Sequence, residues 1–95
     1  MYRDDGLQRV ATGEGGDGGY EPGVVKAFRK RMQAIRNGVD ERDLRACKGN
    51  HYEKLEPPRD HQYSMRLNKQ WRLILEWHGE DEERTVWIMG IEDYH

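Results

Sequence analysis

The sequence has a single cysteine and no long apolar run, and these two scarcities limit what the protein can be. Cys47 alone cannot form a disulfide within the chain, and this composition fits a reducing compartment. No apolar stretch approaches the roughly 18 residues that a membrane span needs, and no basic-plus-apolar signal opens the chain. We therefore expect a cytoplasmic protein with no membrane-spanning segment.

Apolar residues are also scarce. They make up 35% of the 95 residues, against roughly 45–50% in an average domain, whereas charged residues make up 36%, against about 25%. This length and composition predict one domain, residues 1–95, with a thin hydrophobic core and an ionic surface. Such a core is compatible with a stabilising partner, but also with a highly charged monomer.

The net charge of −2 conceals two regions of opposite sign. Residues 22–72 contain 13 Lys and Arg against 6 Asp and Glu, whereas the rest of the chain contains 3 against 12. A basic segment of this density can neutralise phosphates. For the cations on its first helix, however, solvation of an exposed face is the favoured interpretation. These cations are Lys26, Arg29, Lys30, Arg31 and Arg36.

Residues 1–21 are predicted to form a short helix over 2–12 and then a glycine-rich loop. The stretch 13–18 has the glycine spacing of a dinucleotide-binding loop, but that motif needs a buried strand before it, and none is predicted. Two acidic residues in the stretch, Glu14 and Asp17, would also repel a phosphate. A flexible loop is therefore favoured over a nucleotide site.

The next segment, 22–47, is predicted to be helical. Pro22 suits the first position of a helix, where its missing N–H costs nothing. Apolar residues then recur at spacings of three and four, which predicts a helix over 22–36 with one buried face. Asn37-Gly38 favours the end of that helix, and Asp40 can cap a second, short helical turn.

In the last segment, 51–95, apolar residues alternate with polar ones, which is typical of strands. The predicted strands are 51–56, 62–67, 71–77 and 85–91. Asn68-Lys69-Gln70 makes a tight connection, so the middle two strands form a hairpin. Arg66 and Arg72 fall on the polar phase of that hairpin and should project from one face. Helices followed by antiparallel strands predict an α+β fold.

The sheet half of the chain is rich in the side chains that RNA cleavage needs. When the 2′-hydroxyl of the RNA attacks, one group takes its proton, a second protonates the leaving 5′-oxygen, and cations stabilise the charge on phosphorus. Side chains of these types are His51, Glu53, Lys54, Arg59, Arg66, Lys69, Arg72, Asp93, Tyr94 and His95. Composition and spacing alone indicate only a phosphate-binding face.

No cofactor or metal site is predicted. Cys47 and His51 are four residues apart, but neither paired cysteines nor paired histidines at metal-binding spacing occur. Cys47 also has no evident base beside it that would make it a nucleophile, so it is predicted to be a packing residue.

Three segments resemble the HigB branch of the RelE-like toxins. They are Lys48–Leu55, Gln62–Leu73 and the ending Glu92-Asp93-Tyr94-His95. The combination of Gln70-Trp71-Arg72 with that ending is more specific than either alone, and with the helix over 22–36 the resemblance covers nearly the whole chain. It implies a RelE-like microbial RNase fold, in which two N-terminal helices pack on a small, mainly antiparallel sheet.

The resemblance also implies an activity and its partners. Toxins of this family belong to type II toxin–antitoxin systems, cleave mRNA in the ribosomal A site and so arrest translation. The chain is accordingly expected to be a metal-independent endoribonuclease without a cofactor. Its expected partners are the ribosome with mRNA and a HigA-type helix-turn-helix antitoxin, through which alone it would meet operator DNA.

By the same resemblance, His95 transfers protons, Tyr94 stacks on or orients a nucleotide, and Asp93 orients the histidine or the RNA. Arg72 would stabilise the phosphorane-like transition state, with Arg66 and Lys54 as further candidates for that role. The remaining substrate-binding candidates are Lys54, Arg66, Lys69, Arg59 and His51. Simpler roles stay open: a salt bridge for Arg72, packing for Tyr94, and an exposed, frayed terminus for His95.

The sequence departs from the family pattern at two places. Some members carry a second histidine two residues before the leucine that matches Leu55, where this chain has Glu53. Glu53 could act as the base, which we slightly favour; His51 could reach in instead, or activity could be weak. Members also usually begin with a short strand about three residues longer than Met1-Tyr2-Arg3, so that strand is expected to be shortened or absent.

Two functions of another class are compatible with the same fold. One is a non-catalytic RelE-like binding protein, and the other is a poison of DNA gyrase like the related ParE toxins. The ending Asp93-Tyr94-His95 argues against the second, since ParE-type proteins lack this catalytic set.

Overall fold

A computed structural model of the chain describes residues 2–3, 5–13, 16, 18–37, 41–46, 48–80 and 84–93. Its helices are α1 (Asp5–Thr12), α2 (Pro22–Arg36) and α3 (Glu41–Ala46), and a short 3₁₀ turn follows at Lys48–Asn50. Its strands are β1 (Glu53–Lys54), β2 (Gln62–Arg66), β3 (Trp71–His78) and β4 (Thr85–Asp93). They form an antiparallel sheet in the order β1-β2-β3-β4. The α+β fold is therefore confirmed.

Helix α2 has the bounds that its periodicity predicts. Its apolar stripe packs against one face of the sheet, which we call the helix face, because α1 and α2 cover it. Phe28 is fully buried, and so are Leu73 and Leu75 on β3. The core consists of Leu7, Val10, Ala11, Val24, Val25, Phe28, Met32, Leu44, Met65, Leu67, Leu73, Leu75 and Ile88.

The predicted hairpin is also confirmed, and its turn is built by one side chain. Asn68 Oδ1 accepts hydrogen bonds from the backbone N–H groups of Gln70, at 2.8 Å, and Trp71, at 2.7 Å. The carboxamide thus imitates a backbone turn, for which asparagine is favoured. The register places Met65 opposite Leu73 and so keeps the apolar phase of both strands on the helix face.

The first residues do not form the helix predicted over 2–12, because α1 begins at Asp5. Tyr2 instead makes a parallel bridge to Ile88 on β4, and the backbone N–H of Arg3 donates to the Ile88 carbonyl at 2.8 Å. Among the described residues, the N-terminal strand expected from the family is therefore reduced to one bridge.

The strand predicted over 51–56 is shorter than expected. Its ladder is limited to Glu53–Lys54, and Leu55 adds one backbone hydrogen bond to Gln62 at 3.0 Å. His51 has a left-handed backbone (φ 46°), which no strand residue adopts, so the chain turns immediately before β1. The last strand is longer than predicted and reaches Asp93, because β3 pairs with it as far as its own first residue, Trp71.

Two of the five cations on α2 hold the fold together. Arg29 Nε donates to the Val10 carbonyl at 2.8 Å, and its Nη2 donates to the Gly16 carbonyl at 3.0 Å. Arg31 Nη2 donates to the Arg66 carbonyl at 3.4 Å, at the end of β2. The other three cations are exposed, as the solvation interpretation requires. They are Lys26, Lys30 and Arg36.

The stretch 13–18, which matches the dinucleotide pattern, lies partly outside the described residues, including Glu14 and Asp17. Its described glycines have left-handed backbones, and Gly18 (φ 62°) also lies tightly against α1. A Cβ on Gly18 would be 2.7 Å from Val10 Cγ2. None of the helices in the described part of the chain is long and apolar enough to span a membrane.

Gly18→Ala should therefore lower the free energy of unfolding by at least about 1–2 kcal/mol, the usual cost of a left-handed backbone with a side chain. Urea denaturation followed by circular dichroism measures this change. Gly23→Ala, in the first turn of α2 where a Cβ meets open space, is the matched control and should be neutral or slightly stabilising. Equal stabilities of the two variants would contradict the packing of this loop on α1.

Candidate active site

The sheet face opposite the helices is mostly polar, and we call it the polar face. Because side chains alternate along a strand, the register assigns each residue to one face. The polar face carries Glu53, Gln62, Ser64, Arg66, Arg72, Ile74, Glu76, His78, Thr85, Trp87 and Glu92. Three of the residues that the sequence marked for phosphate chemistry, Glu53, Arg66 and Arg72, thus share one surface.

Arg66 and Arg72 are directly opposite each other on β2 and β3, which confirms that they project from one face. Arg72 is only 8% exposed, and its Nη1 donates to the His51 carbonyl at 3.1 Å. Arg66 is more exposed, and its Nη1 lies 3.4 Å from His51 Nε2. His51 therefore contacts both arginines, one through its backbone and one through its ring.

Glu53 enters the same site from β1. It is in register with Ser64, two residues before Arg66, so its carboxylate leaves the sheet on the polar face. The Glu53 side chain is exposed, whereas its partner Ser64 on β2 is buried. The two candidates for the second proton-transfer group, Glu53 and His51, thus both border the arginine pair.

A cluster on the helix face anchors the segment that carries those two residues. The Tyr52 hydroxyl donates to Glu41 Oε2 at 2.7 Å and accepts from Trp77 Nε1 at 2.8 Å. The Tyr52 ring stacks on Tyr63 with centroids 5.2 Å apart. Since Tyr52 stands between His51 and Glu53, this anchor fixes the backbone on both sides of it.

Arginines enclose this anchor and change its ionisation. Arg84 lies 3.0 Å from Glu41 and 4.6 Å above the Trp77 ring, and Arg45 is 3.3 Å from the same carboxylate. Although burial works in the other direction, hydrogen bonds from Tyr52 and Arg84 and both positive charges lower the pKa of Glu41. Burial and then the hydrogen bond to Glu41 raise the pKa of the Tyr52 hydroxyl.

A second network runs across the polar face. Arg59 forms a two-pronged pair with Glu92, at 2.8 and 2.6 Å, and donates to Gln62 Oε1 at 2.9 Å. Gln62 Nε2 in turn donates to Glu76 Oε2 at 2.7 Å. The other oxygen of that carboxylate, Oε1, lies 3.1 Å from His78 Nε2. Arg59 lowers the pKa of Glu92, and the hydrogen bond from Gln62 is the main cause that lowers the pKa of Glu76.

These lowered carboxyl pKa values predict a loss of stability in acid. A group whose pKa is lower in the folded state stabilises the fold above its unfolded pKa, and this stabilisation is lost as the pH falls through the folded pKa. The melting temperature should therefore fall below about pH 5, where glutamates begin to protonate. Glu41→Gln should flatten that dependence in thermal melts recorded from pH 7 downwards. An unchanged slope in Glu41→Gln would contradict the role given to the arginines around it.

The structure separates some of the other candidates from the arginine pair. Lys54 is in register with Tyr63 and leaves β1 on the helix-face side, and Lys69 is exposed at the tip of the hairpin. Asp93 is in register with Trp71, also on the helix-face side, and accepts a hydrogen bond from Gln70 Nε2 at 3.0 Å. Tyr94 and His95 lie outside the described residues.

Among the residues that the sequence did not single out for the site are Glu41, Tyr52 and Gln70. Tyr52 and Gln70 lie inside the segments that carry the family resemblance, which was the available signal. Glu41 carried none, because its contacts with Tyr52 and Arg84 join residues that are distant in the chain. In the described part of the molecule, no group of three His, Cys, Asp or Glu side chains could hold a metal ion.

Comparison with known proteins identifies the family. The sequence profile of the HigB-like toxins, described as the RelE-like toxin of the type II toxin–antitoxin system HigB, matches residues 1–95. The chain belongs to the HigB-like toxin family. An uncharacterized protein from Haemophilus influenzae is 30% identical to this HigB-like toxin over 80 residues, which cover 84% of this chain and 79% of that protein.

A solved structure agrees with the fold. The YoeB/ParE toxin from Agrobacterium tumefaciens superposes on this HigB-like toxin with a TM-score of 0.64, covering 100% of this chain and 97% of that one. At 13% identity this similarity shows the fold alone. Together, family and fold make the protein a toxin of a type II toxin–antitoxin system, which implies an antitoxin as partner.

Proposed function

We propose that this HigB-like toxin is a ribosome-dependent endoribonuclease that cleaves mRNA codons in the A site. The observation that carries the proposal is the polar face itself. Arg66 and Arg72 stand side by side there, with His51 in contact with both and Glu53 on the neighbouring strand. A ParE-like action on DNA gyrase has no such observation in its favour.

The chemistry needs an attacking 2′-hydroxyl, which the RNA supplies. In the proposed reaction, Glu53 takes the proton of that hydroxyl, and the oxygen attacks the adjacent phosphorus. Arg72 stabilises the added negative charge, and His95 protonates the departing 5′-oxygen. This division gives each proton transfer its own group and makes the arginine an electrostatic stabiliser.

The other candidates bind and orient the substrate in this proposal. Arg66 meets the phosphate from its more exposed position, and His51 contacts the RNA beside it. Lys54 and Lys69, which lie away from the arginine pair, contact more distant nucleotides. Tyr94 stacks on a nucleotide, and Asp93 orients His95 or the RNA. In this proposal side chains carry out both proton transfers and provide the positive charge. We therefore propose that cleavage is independent of metal ions.

The antitoxin of this system is proposed to be a HigA-type helix-turn-helix protein, since the family description names the HigB system. The toxin would then reach operator DNA only as part of the toxin–antitoxin complex. Co-expression with the product of the adjacent reading frame should restore growth and yield a stable complex on gel filtration. If that product neither binds the toxin nor restores growth, the HigA-type pairing is wrong.

Induction of the toxin in bacteria, followed by mapping of transcript 5′ ends, tests the activity. New ends within translated codons are expected, together with growth arrest. Purified toxin should cleave mRNA on programmed ribosomes, equally well in EDTA concentrations that leave the ribosomes intact, and should leave free mRNA uncut. Growth arrest with DNA damage and without new 5′ ends would instead indicate a gyrase poison.

A further inference from the structure

The end of β4 has backbone support from one side only, where β3 pairs with it as far as Asp93. β4 is an edge strand, and the described residues pair with its outer side only at Ile88, through Tyr2 and Arg3. Its last residues, Glu92 and Asp93, are four and five residues beyond that bridge. An edge strand is paired on one side only, so the order of Glu92 and Asp93 depends on their pairing with β3 and on the side chains that hold them.

Glu92 is held on the polar face by Arg59. The guanidinium donates from two nitrogens to the two carboxylate oxygens, at 2.8 and 2.6 Å. Arg59 comes from the loop before β2, whereas Glu92 lies on β4, two strands away in the sheet, so the pair joins two distant parts of the chain. The loop is itself closed by backbone hydrogen bonds, from Arg59 to the Glu56 carbonyl and from Gln62 to the Arg59 carbonyl, both 2.9 Å.

Asp93 is held on the opposite side by Gln70. The Gln70 carboxamide donates to Asp93 Oδ2 at 3.0 Å. Gln70 stands in the hairpin turn that the Asn68 side chain stiffens, so its backbone is fixed as well. Two consecutive residues of one strand are thus held from opposite faces, each by a side chain from a closed turn.

We propose that Arg59 and Gln70 are positioning residues that clamp Glu92 and Asp93 at the end of β4, directly before Tyr94 and His95 in the sequence. This inference rests on the proposed function, in which those two residues act on the RNA. It also reassigns Arg59, which was predicted from the sequence to be a substrate-binding residue. A displacement of about 1 Å at a reacting group can cost roughly 100-fold in rate, so the clamp would act mainly on the rate of cleavage.

The clamp predicts more than a stability effect. Arg59 and Glu92 remain 44% and 46% exposed, and exposed ion pairs contribute little to the free energy of folding. Loss of the Arg59–Glu92 pair should therefore leave the melting temperature nearly unchanged, while the end of β4 becomes mobile. A direct phosphate contact by Arg59 would instead weaken RNA binding and leave β4 as it is.

A charge exchange separates the two roles. Arg59→Glu and Glu92→Arg should each lower the single-turnover rate at saturating toxin by about 10- to 100-fold, because each places like charges together. The exchanged pair, R59E/E92R, should recover most of that rate. Arg42→Glu, an equal change of charge at an exposed residue of α3, is the control and should leave the rate unchanged.

Gln70 is tested in the same assay. Gln70→Glu sets a carboxylate against Asp93 and should therefore lower the rate more than Gln70→Ala. A loss of side-chain size alone would give the reverse order, because glutamate matches glutamine in size and alanine does not. Equal rates in wild type and Gln70→Glu would overturn the role of Gln70 in the clamp.

Amide hydrogen exchange of the free toxin gives a readout that needs no activity. Exchange at residues 91–93 should accelerate about 10-fold or more in Arg59→Glu and return towards the wild-type rate in the exchanged pair. If exchange there does not change, and R59E/E92R does not recover cleavage, the clamp is wrong and Arg59 acts on the RNA. If exchange accelerates in Arg59→Glu and is restored in R59E/E92R, but the wild type cleaves no mRNA, the clamp stands and the proposed function fails.

Discussion

Arg72→Ala is expected to lower the rate of mRNA cleavage by about 100- to 1000-fold and to relieve the growth arrest caused by induction. This is the usual loss when one preorganised group that faces the developing charge is removed. Arg72 is suited to such a role because it is largely buried, and charges interact more strongly where water is excluded. Its hydrogen bond to the His51 carbonyl also fixes the guanidinium before substrate arrives.

Single-turnover cleavage on programmed ribosomes and growth after induction measure this effect. Arg72→Lys keeps the charge but loses the planar donor geometry, so it should recover only part of the rate. Both variants need a thermal melt, since a change at a buried arginine can also lower stability. A folded Arg72→Ala variant with full activity would remove Arg72 from the catalytic group.

The parts of the fold that depend on local periodicity could be predicted from the sequence. Helix α2 and the hairpin have repeating apolar positions and a turn with suitable residues, so pattern alone locates them. The same alternation places Arg66 and Arg72 on one face. In each case the deciding contacts lie within one helix or one pair of adjacent strands.

The features that the sequence did not reveal depend on contacts between distant residues. Nothing near Arg59 indicates that it pairs with Glu92, which is 33 residues away, and an arginine in a basic segment is read first as a phosphate ligand. The short β1 follows from the left-handed backbone of His51, which a histidine rarely adopts and no periodicity reports. The strand β4 continues past its apolar pattern because pairing with β3, rather than burial, defines its end.

Glu53→Gln should lower the cleavage rate by about 100- to 10,000-fold if Glu53 is the base, which is the range for loss of a positioned proton-transfer group. The substitution keeps size and hydrogen-bonding capacity but removes the basic carboxylate. His51→Asn is the matched comparison, because asparagine tolerates a left-handed backbone and retains the carbonyl that receives Arg72. His51→Asn should lower the cleavage rate much less than Glu53→Gln does.

The pH dependence and a double variant decide between the two groups. With Glu53 as base, the acid limb of the pH–rate profile should disappear in Glu53→Gln and persist in His51→Asn; the reverse would make His51 the base. Groups that act in one reaction step give strongly non-additive losses. Glu53→Gln combined with His95→Ala should therefore be barely slower than the worse single variant. Fully additive losses would mean that the two residues do not serve the same step, and the division of proton transfer between β1 and the end of the chain would have to be abandoned.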